Sequence, residues 1–500
     1  MRTLTCLRGA TLVTLDADLA VHEPGELWLD GDRIAYAGAP GGFTPPAGVP
    51  VDEIDGRGRI VMPGFVNAHT HSYAGLLKGT TDTIPLDVFM VNVILAAGAR
   101  TPRDVYVSAL VGCLEMLTTG TTACLDHFSH RPRHHVDALD AVCRAYADAG
   151  IRAAVAPMFS DLPFVETIPL GDDEMPAALR TKLPATPQAH EPFFEMMTEG
   201  LARWGGHERV ALILGVDSPQ RCSDALLRKA GAFCAEHGIG NHTHLLEAKT
   251  QWAMVADRDP RGFVAYLADR GLAGPRSSFA HFIWVTDADI EAAAAHGATV
   301  VHNAASNLIL GSGIHPLLRC VEAGVAVAFG SDGVNVGNMS MFEKTRLAAL
   351  LHRVTESDST RWVPAHPLLR MATVNGARVV GRAGELGELV AGRLADVVVL
   401  DADTVTLSPR GDVATQLVFY EGGGSVTDVF VGGERVVAGG RPTRIDAAAV
   451  LDEARETAAR LARDSRLSLA AAEAFHPGLR AMVQRVLDDG CGPCRLASLG

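Results

Sequence analysis

The feature that most constrains the fold of this chain is an alternation of short apolar runs with amphipathic segments between residues 61 and 384. The apolar runs have the length of buried strands, and the segments between them have the spacing of surface helices. Eight strands, each followed by a helix or a long loop, predict an α/β fold of the (β/α)8 TIM-barrel type. The predicted strands are 59–66, 121–125, 151–156, 211–216, 239–243, 278–280, 299–302 and 325–330.

The residues outside this region follow a second pattern. Short extended runs bounded by Gly, Asp and Pro fill residues 1–60 and return between 385 and 445, for example at 416–419 and 429–431. Either part alone is small for an independent domain. We therefore predict one composite β-sandwich domain from 1–60 and 385–445, a barrel at 61–384, and a C-terminal helical extension and tail at 446–500. The Pro-rich segment 160–189 is predicted to be a loop over the barrel mouth.

Charge and composition exclude several classes of function. The net charge of −14 argues against a nucleic-acid binder, which needs a basic surface. No apolar run reaches the roughly 18–20 residues that span a bilayer, and the first residues lack a secretory pattern. We predict a cytoplasmic protein that acts on a small molecule, with no membrane or nucleic-acid partner. The nine cysteines are scattered, which indicates reduced thiols, and Cys491-Gly-Pro-Cys494 lies outside the βαβ context of redox motifs.

Polar side chains stand where four of the predicted strands end. The first strand ends at His69 and His71, whose spacing of two residues puts both imidazoles on one strand face. One such histidine is more often a packed core residue, but ligands in barrels come from the carboxyl ends of several strands. The combination therefore predicts one common site. Its other members are His242, His244 and Glu247 after the fifth strand, His281 after the sixth and Asp332 after the eighth.

This set of side chains fits a divalent metal with an open position for water. Histidines and carboxylates are usual ligands of such ions, and the ion lowers the pKa of bound water. Glu247, three residues after His244, is placed to carry a proton from the water to a leaving group. His281 would polarise or hold the attacked group. Asp332 would bind the metal, accept a hydrogen bond from the water, or do both.

The motifs around these residues resemble the amidohydrolase superfamily. They are most similar to its aminohydrolase branch, which holds adenosylhomocysteine/methylthioadenosine deaminases, guanine and cytosine deaminases and the triazine hydrolases. The resemblance extends from residue 1 to about residue 445. The motifs that carry it are Pro63-Gly-Phe-Val-Asn-Ala-His-Thr-His71, His244-Leu-Leu-Glu247, His281, Ser306-Asn-Leu-Ile-Leu-Gly-Ser-Gly313, Gly330-Ser-Asp-Gly333 and the stretch from Gly384 to Asp401.

The resemblance implies one metal ion per subunit, zinc in the first place and iron as the alternative. Its ligands would be His69, His71, His244 and Asp332, with Glu247, His281 and Asp332 in catalytic contact with water and substrate. The family's His-x-x-Glu step selects His244 over His242, and His242 then supports the site or packs beside it. A homodimer or larger homo-oligomer is also implied.

The chain departs from the nucleoside deaminases of this branch in the loop after the first strand. Those enzymes carry a tryptophan for base stacking and a downstream glutamate for the ribose hydroxyls, whereas here Phe89 fills the aromatic position and no glutamate follows. After the seventh strand the usual Cys-Pro is Asn303-Ala304. These changes favour a smaller or less hydroxylated substrate. We expect Phe89, Ser306 and Asn307 to line its pocket.

We therefore predict a metal-dependent hydrolytic deaminase that releases ammonia from an N-heteroaromatic ring such as a purine, pterin, pyrimidine or triazine. Two alternatives use the same scaffold: hydrolytic dehalogenation, and C–N hydrolysis of a cyclic amide or amidine. A third is a non-catalytic metal-binding or assembly protein, which would need a broken site. A redox role for Cys491 and Cys494 is the last alternative.

Overall fold

The computed structural model describes residues 3–96, 100–130, 135–171, 173–183 and 188–495. The strands of this part of the chain are, in order, β1 (Leu4–Val13), β2 (Val21–Asp30), β3 (Arg33–Gly38), β4 (Val51–Asp55), β5 (Arg59–Pro63), β6 (Phe65–His71), β7 (Thr121–Asp126), β8 (Arg152–Val155), β9 (Met158–Phe159), β10 (Val210–Leu212), β11 (Leu214–Val216), β12 (Asn241–Leu245), β13 (Ser277–His281), β14 (Thr299–His302), β15 (Ala326–Phe329), β16 (Asp332–Gly333), β17 (Val397–Asp401), β18 (Val426–Val431), β19 (Glu434–Ala438) and β20 (Arg441–Pro442).

The α-helices lie mainly between and after the strands of the central region. They are α1 (Leu86–Ala96), α2 (Pro102–Thr118), α3 (Val136–Ala149), α4 (Ala177–Arg180), α5 (Glu191–Trp204), α6 (Asp224–His237), α7 (Lys249–Ala253), α8 (Phe263–Ala268), α9 (Asp287–His296), α10 (Ala304–Ile309), α11 (Leu317–Glu322), α12 (Met341–Thr355), α13 (Ala365–Arg370), α14 (Gly376–Val379), α15 (Val413–Phe419), α16 (Ala447–Ala472) and α17 (His476–Asp488). No helix within the described ranges combines the length and the apolar character of a membrane span.

The central region is barrel-like, and its strands follow the predicted order. A strand lies at each of the eight predicted places, and all neighbouring pairs are parallel. The ladders form a five-stranded sheet, β10-β8-β7-β6-β16, and a six-stranded sheet, β15-β14-β13-β12-β11-β9. The chain passes from one sheet to the other within β8–β9, β10–β11 and β15–β16. The predicted barrel is therefore present as two linked sheets, and the ladders of the described residues do not close into one sheet.

The interruptions have local causes. Pro157, between β8 and β9, has no N–H for a ladder hydrogen bond, although its carbonyl accepts one from Gly215 at 3.0 Å. Gly64 separates β5 from β6, which were predicted as one strand. A Cβ atom there would lie 2.1 Å from Thr122 Oγ1, so the main chain can pass this close only without a side chain. The chain thus leaves the terminal sheet and enters the barrel region at Gly64.

The strands from both chain ends form one sheet. Its order is β20-β19-β18-β17-β5-β1-β2-β3, with β4 paired to β1. The prediction that the two ends associate is confirmed, but the described ladders make a single nine-stranded sheet where a two-sheet sandwich was predicted. The segment 416–419, predicted as a strand, lies in α15. Asp412 caps that helix by accepting a hydrogen bond from the Thr415 N–H at 2.8 Å, a local signal stronger than the apolar run.

The C-terminal extension is helical, as predicted. Helix α16 packs against α1 and α2, and α17 packs against α1 and α7. Residues 496–500 lie outside the described ranges. Cys491 and Cys494 are both exposed.

A buried ion pair joins the barrel region to the terminal sheet. Arg152 on β8 donates to both carboxylate oxygens of Asp396 at 3.0–3.2 Å, and the two side chains are 8% and 2% exposed. The Gly432 N–H donates to the same carboxylate at 2.8 Å. Removing one partner of such a pair leaves an uncompensated buried charge.

We expect the substitution Arg152→Met to lower the free energy of unfolding by about 3–5 kcal/mol. The control is Arg57→Met, since Arg57 pairs with Asp55 on the surface, where the side chains are 83% and 60% exposed. That change should cost less than about 1 kcal/mol. Urea unfolding followed by tryptophan fluorescence measures the free energy of unfolding of both variants. Equal losses of stability would show that the buried pair does not stabilise the packing of the terminal sheet against the barrel region.

Candidate metal centre

Two predicted ligands lie side by side on the first strand of the barrel region. β6 is buried along its whole length, with His69 0% and His71 5% exposed. Alternate residues of a strand share a face, and the two ring centres are 4.8 Å apart. His71 Nδ1 donates a hydrogen bond to the His127 carbonyl at 2.7 Å, which turns its Nε2 toward the site.

Two further side chains reach these histidines from other strands. His244, on β12, has its Nε2 3.2 Å from Nε2 of His71, and its Nδ1 donates to the Asp217 carbonyl at 2.6 Å. Asp332 reaches the same histidines from a neighbouring strand, because β16 pairs with β6. Its Oδ1 lies 3.1 Å from His71 Nε2 and 3.6 Å from His69 Nε2. Side chains from residues far apart in sequence thus lie close together.

The four donor atoms fit a divalent cation. Two ligands bonded at about 2.0–2.1 Å to one tetrahedral ion stand roughly 3.3 Å apart. The distances from His71 to His244, from His71 to Asp332 and from His69 to Asp332 are 3.1–3.6 Å. Within the described ranges, His69 Nε2 is buried and has no hydrogen-bond partner. A buried nitrogen of this kind is costly unless something binds it. His69, His71 and His244 form one of the groups of side chains whose donor atoms are close enough to share an ion.

Glu247 and His281 stand next to this group. Glu247 Oε2 is 3.7 Å from His281 Nε2, and the Glu247 N–H donates to Gln251 Oε1 at 2.8 Å. Burial raises the pKa of Glu247 to about 8, and the negative charge of Asp332 adds to this effect. Glu247 can therefore hold a proton at neutral pH, as a general acid must.

Two neighbouring residues orient His281 and Asp332. His281 Nδ1 donates to Asn307 Oδ1 at 2.9 Å, and Ser306 Oγ donates to Asp332 Oδ2 at 2.6 Å. Burial favours a neutral Asp332, but the imidazoles of His69 and His71 beside its carboxylate hold its pKa well below the usual range. Neither Ser306 nor Asn307 is among the described residues that line the cavity. Their contact with substrate stays a prediction, and the contacts seen are with His281 and Asp332.

The backbone is strained where the strands end. Leu246, His281 and Asp332 have φ angles of +50°, +69° and +61°. Side chains other than glycine rarely adopt this left-handed region, and each such residue costs about 1–3 kcal/mol. The three positions follow or end β12 and β13 and begin β16. The strain therefore accompanies the turns that bring Glu247, His281 and Asp332 to the donor atoms.

A cavity of about 330 Å³ opens onto these groups. Phe89 on α1 lines it, where the sequence placed an aromatic residue. Part of the predicted mouth loop also lines it, whereas residues 172 and 184–187 of that loop lie outside the described ranges. Helix α16 forms another part of the wall, which the sequence did not indicate. The lining residues from the loop and the helix are Phe164, Thr167, Ile168, Ala458, Leu461, Ala462, Asp464, Ser465 and Leu469.

Sequence reasoning also missed Asp87. This carboxylate is 5% exposed and lines the cavity, and Thr250 Oγ1 donates to its Oδ2 at 3.0 Å. Burial raises the pKa of Asp87 to about 6. No described lysine or arginine forms an ion pair with it. An acidic residue in the first turn of a helix is common because it interacts favourably with the helix dipole, so its position alone does not indicate a functional role.

Comparisons with known proteins agree with this geometry. The family model described as "Amidohydrolase family" matches residues 60–436. The 5-methylthioadenosine/S-adenosylhomocysteine deaminase of Thermococcus kodakarensis is 36% identical over 384 residues, which cover 76% of this chain and 83% of that protein. The 5'-deoxyadenosine deaminase of Methanosarcina mazei is 31% identical over 457 residues, covering 91% and 98% of the two chains.

Two solved structures are similar over most of their length. An adenosine deaminase from Xanthomonas campestris with bound zinc has a TM-score of 0.78 at 26% identity, and the match covers 92% of this chain and 98% of that one. An atrazine chlorohydrolase from Arthrobacter aurescens complexed with zinc has a TM-score of 0.80 at 25% identity, and the match covers 91% and 100%. Both similar structures thus hold zinc.

We expect zinc to raise the melting temperature of metal-free protein, because an ion that binds only the folded state stabilises it. At a free zinc concentration 100-fold above the Kd, the gain is about 2.7 kcal/mol. His71→Ala should abolish most of this shift, since it removes the nitrogen that lies closest to the other proposed ligands. The ligand atoms of His69, His71, His244 and Asp332 are called the donor group below. His22→Ala, on the terminal sheet, is the control and should keep it. A full shift in His71→Ala would contradict the assigned site.

Proposed function

We propose that this chain, which belongs to the amidohydrolase family and is a metal-dependent deaminase of cyclic amidines, removes the amino group from the adenine ring of a nucleoside. The observation that carries the proposal is the meeting of His69, His71, His244 and Asp332 beside a protonatable Glu247. In the overall reaction water adds to the ring carbon, the bond from that carbon to the amino group breaks, and ammonia leaves.

The substrate class is supported by the curated relatives. Both of the deaminases described above are named for adenine nucleosides with a modified 5' position. The missing downstream glutamate led the sequence analysis to favour a smaller or less hydroxylated substrate. Asp87, however, supplies a carboxylate in the cavity from another position of the same loop and helix. A carboxylate accepts hydrogen bonds from hydroxyl groups, and ribose offers two neighbouring ones. We therefore extend the proposal to an intact nucleoside.

The metal ligands in this proposal are His69, His71, His244 and Asp332. A divalent ion, when bound, supplies a water whose lowered pKa makes hydroxide available near neutral pH. Three nitrogens and one oxygen suit zinc, and both similar structures contain it.

The chain's own residues would then move protons and hold the reacting groups. Glu247, protonated at neutral pH, gives its proton to the ring nitrogen next to the attacked carbon. It then takes one proton from the water and passes it to the departing amine, and the second proton of the water restores the protonated Glu247. His281 donates through Nδ1 to Asn307, so its Nε2 has a lone pair toward the cavity and can accept a hydrogen bond from the water. Asp332, fixed by Ser306, orients the same water through its carboxylate.

Three expectations from the sequence remain proposals of the same kind. They are zinc in preference to iron, a homodimer or larger homo-oligomer, and the division into a terminal domain (1–60 with 385–445), a barrel (61–384) and an extension (446–500). Metal analysis, light scattering and limited proteolysis test them in turn.

We expect Glu247→Gln to lower kcat by about 100- to 10,000-fold, because the amide cannot transfer the proton. Bound metal should be unchanged, since Glu247 is not a proposed ligand. The measurement is ammonia release from adenosine, 5'-deoxyadenosine, methylthioadenosine and adenosylhomocysteine, with metal content determined on the same sample. Glu343→Gln, on α12 outside the cavity, is the control. Retained turnover in Glu247→Gln would exclude the role of this residue.

The same assay tests the reaction class. Ammonia from a nucleoside and none from free adenine supports the proposal. Release of chloride from a chlorotriazine, with no ammonia from any nucleoside, would instead support the dehalogenase alternative. The similarity to the atrazine chlorohydrolase favours that alternative.

We expect Asp87→Asn to lower kcat/KM for nucleosides by about 10- to 100-fold, mostly through KM, because a charged acceptor of substrate hydroxyls is lost. Below about pH 6 the native carboxyl group is protonated, so the native KM should rise there and the KM of the variant should not. Asp464→Asn is the matched control, since Asp464 also lines the cavity but its side chain is 59% exposed. Equal KM values for the native protein and both variants would show that Asp87 does not bind the substrate.

A further inference from the structure

We propose that His242 and Ser278 form a hydrogen-bonded relay that fixes the tautomer of His69 and thereby makes that ring able to bind the metal. The inference rests on the proposed role of His69 as a ligand. It assigns His242, which the sequence left between support and packing, as a positioning residue. It also gives a task to Ser278, a residue that nothing in the sequence singled out.

The relay is buried, and its first two contacts are short. His69 Nδ1 lies 2.8 Å from His242 Nε2, and His242 Nδ1 lies 2.6 Å from Ser278 Oγ. Ser278 Oγ donates in turn to the Asn241 carbonyl at 3.5 Å. His69 and His242 are 0% exposed and Ser278 is 3% exposed. Because these rings are buried from solvent, the nitrogens of the relay must form their hydrogen bonds within the protein.

The other two histidines of the donor group are oriented in a simpler way. His71 and His244 each direct Nδ1 to a main-chain carbonyl, at 2.7 and 2.6 Å. A carbonyl only accepts hydrogen bonds, so it holds the proton on Nδ1 and leaves the lone pair of Nε2 for the metal. His69 differs, because its partner is an imidazole that can either donate or accept. The tautomer of His69 therefore depends on the tautomer of His242.

The end of the relay decides its direction. If Ser278 donates to the Asn241 carbonyl, its oxygen is free to accept the N–H of His242 Nδ1. His242 Nε2 then has a lone pair and accepts from His69 Nδ1, and His69 Nε2 faces the donor group with its own lone pair. In the reverse direction His69 would carry a proton on Nε2, which would point at the metal position and block binding. A carbonyl that can only accept thus stabilises the metal-binding direction through three side chains.

The test is the zinc affinity of metal-free protein, measured by competition with a chromophoric chelator. Ser278→Ala leaves the His242 Nδ1–H without an acceptor in a buried place, and we expect the Kd for zinc to rise about 10- to 100-fold, as for other supporting partners of metal ligands. Ser277→Ala is the matched control. Ser277 is the preceding residue of the same strand and is equally buried, but its hydroxyl accepts from Asn241 Nδ2 at 2.9 Å and is not part of the relay. Its Kd should change less than about twofold.

Substitutions at His242 test the donor and acceptor roles directly. His242→Gln can accept from His69 through its amide oxygen and donate to Ser278 through its amide nitrogen, so it should keep most of the zinc affinity. His242→Leu can do neither and should lose at least as much affinity as Ser278→Ala. If His242→Leu does not fold, as judged by its melting curve, the two serine variants alone decide.

The outcomes separate the relay from the proposed function. If native protein binds one equivalent of zinc and Ser278→Ala binds it as tightly as Ser277→Ala, the relay is wrong and the metal site stands. If native protein binds no zinc, the ligand assignment itself is wrong and the relay fails with it. Three results would together support the relay. Ser278→Ala should lose zinc affinity while Ser277→Ala keeps it, His242→Gln should keep most of the affinity, and His242→Leu should lose it.

Discussion

The centre of this molecule depends on a short parallel pairing between the first and last strands of the barrel region. Asp332 stands opposite Thr70, and Gly333 stands opposite His71. Asn67 strengthens the pairing with its side chain, which donates to Ser331 Oγ at 2.8 Å and accepts from the Ser331 N–H at 3.0 Å. Without this contact the carboxylate would not reach the histidines of β6. Three buried imidazoles and one carboxylate have little reason to gather by themselves, so the backbone must hold them until a cation offsets the cost of their burial.

The same region contains the least relaxed backbone of the site. Leu246, His281 and Asp332 all have positive φ angles, although none is a glycine. Their strain is balanced by the surrounding fold, with its buried strands and interlocked hydrogen bonds. A rigid frame of this kind suits a reaction in which a proton must pass between fixed points. It also explains why polar residues away from the cavity, such as Ser306 and Asn307, are buried against the residues that face it.

Much of this arrangement could be predicted from the sequence, because the signals are local. The two-residue spacing of His69 and His71 needs only the geometry of a strand, and the alternation of apolar runs with amphipathic segments gives the order of the barrel strands. The predictions that failed did so because local preferences compete or because tertiary packing decides the outcome. The interruption at Pro157 and the helix after Asp412 depend on which local preference dominates. Asp87 and α16 reach the cavity only through tertiary packing, and no pattern in their own segments shows which surface they will face.

The terminal sheet has a consequence for how the chain is made. β5 pairs with β17, so the edge of β5 has no neighbour on that side until a segment more than three hundred residues later has left the ribosome. At about 5–20 residues per second, this delay amounts to tens of seconds. An unpaired strand edge of this kind is a template for mispairing with other nascent chains. The helix that completes the cavity wall is synthesised later still, and the substrate pocket therefore forms only near the end of translation, after the histidines and Asp332 have already been produced.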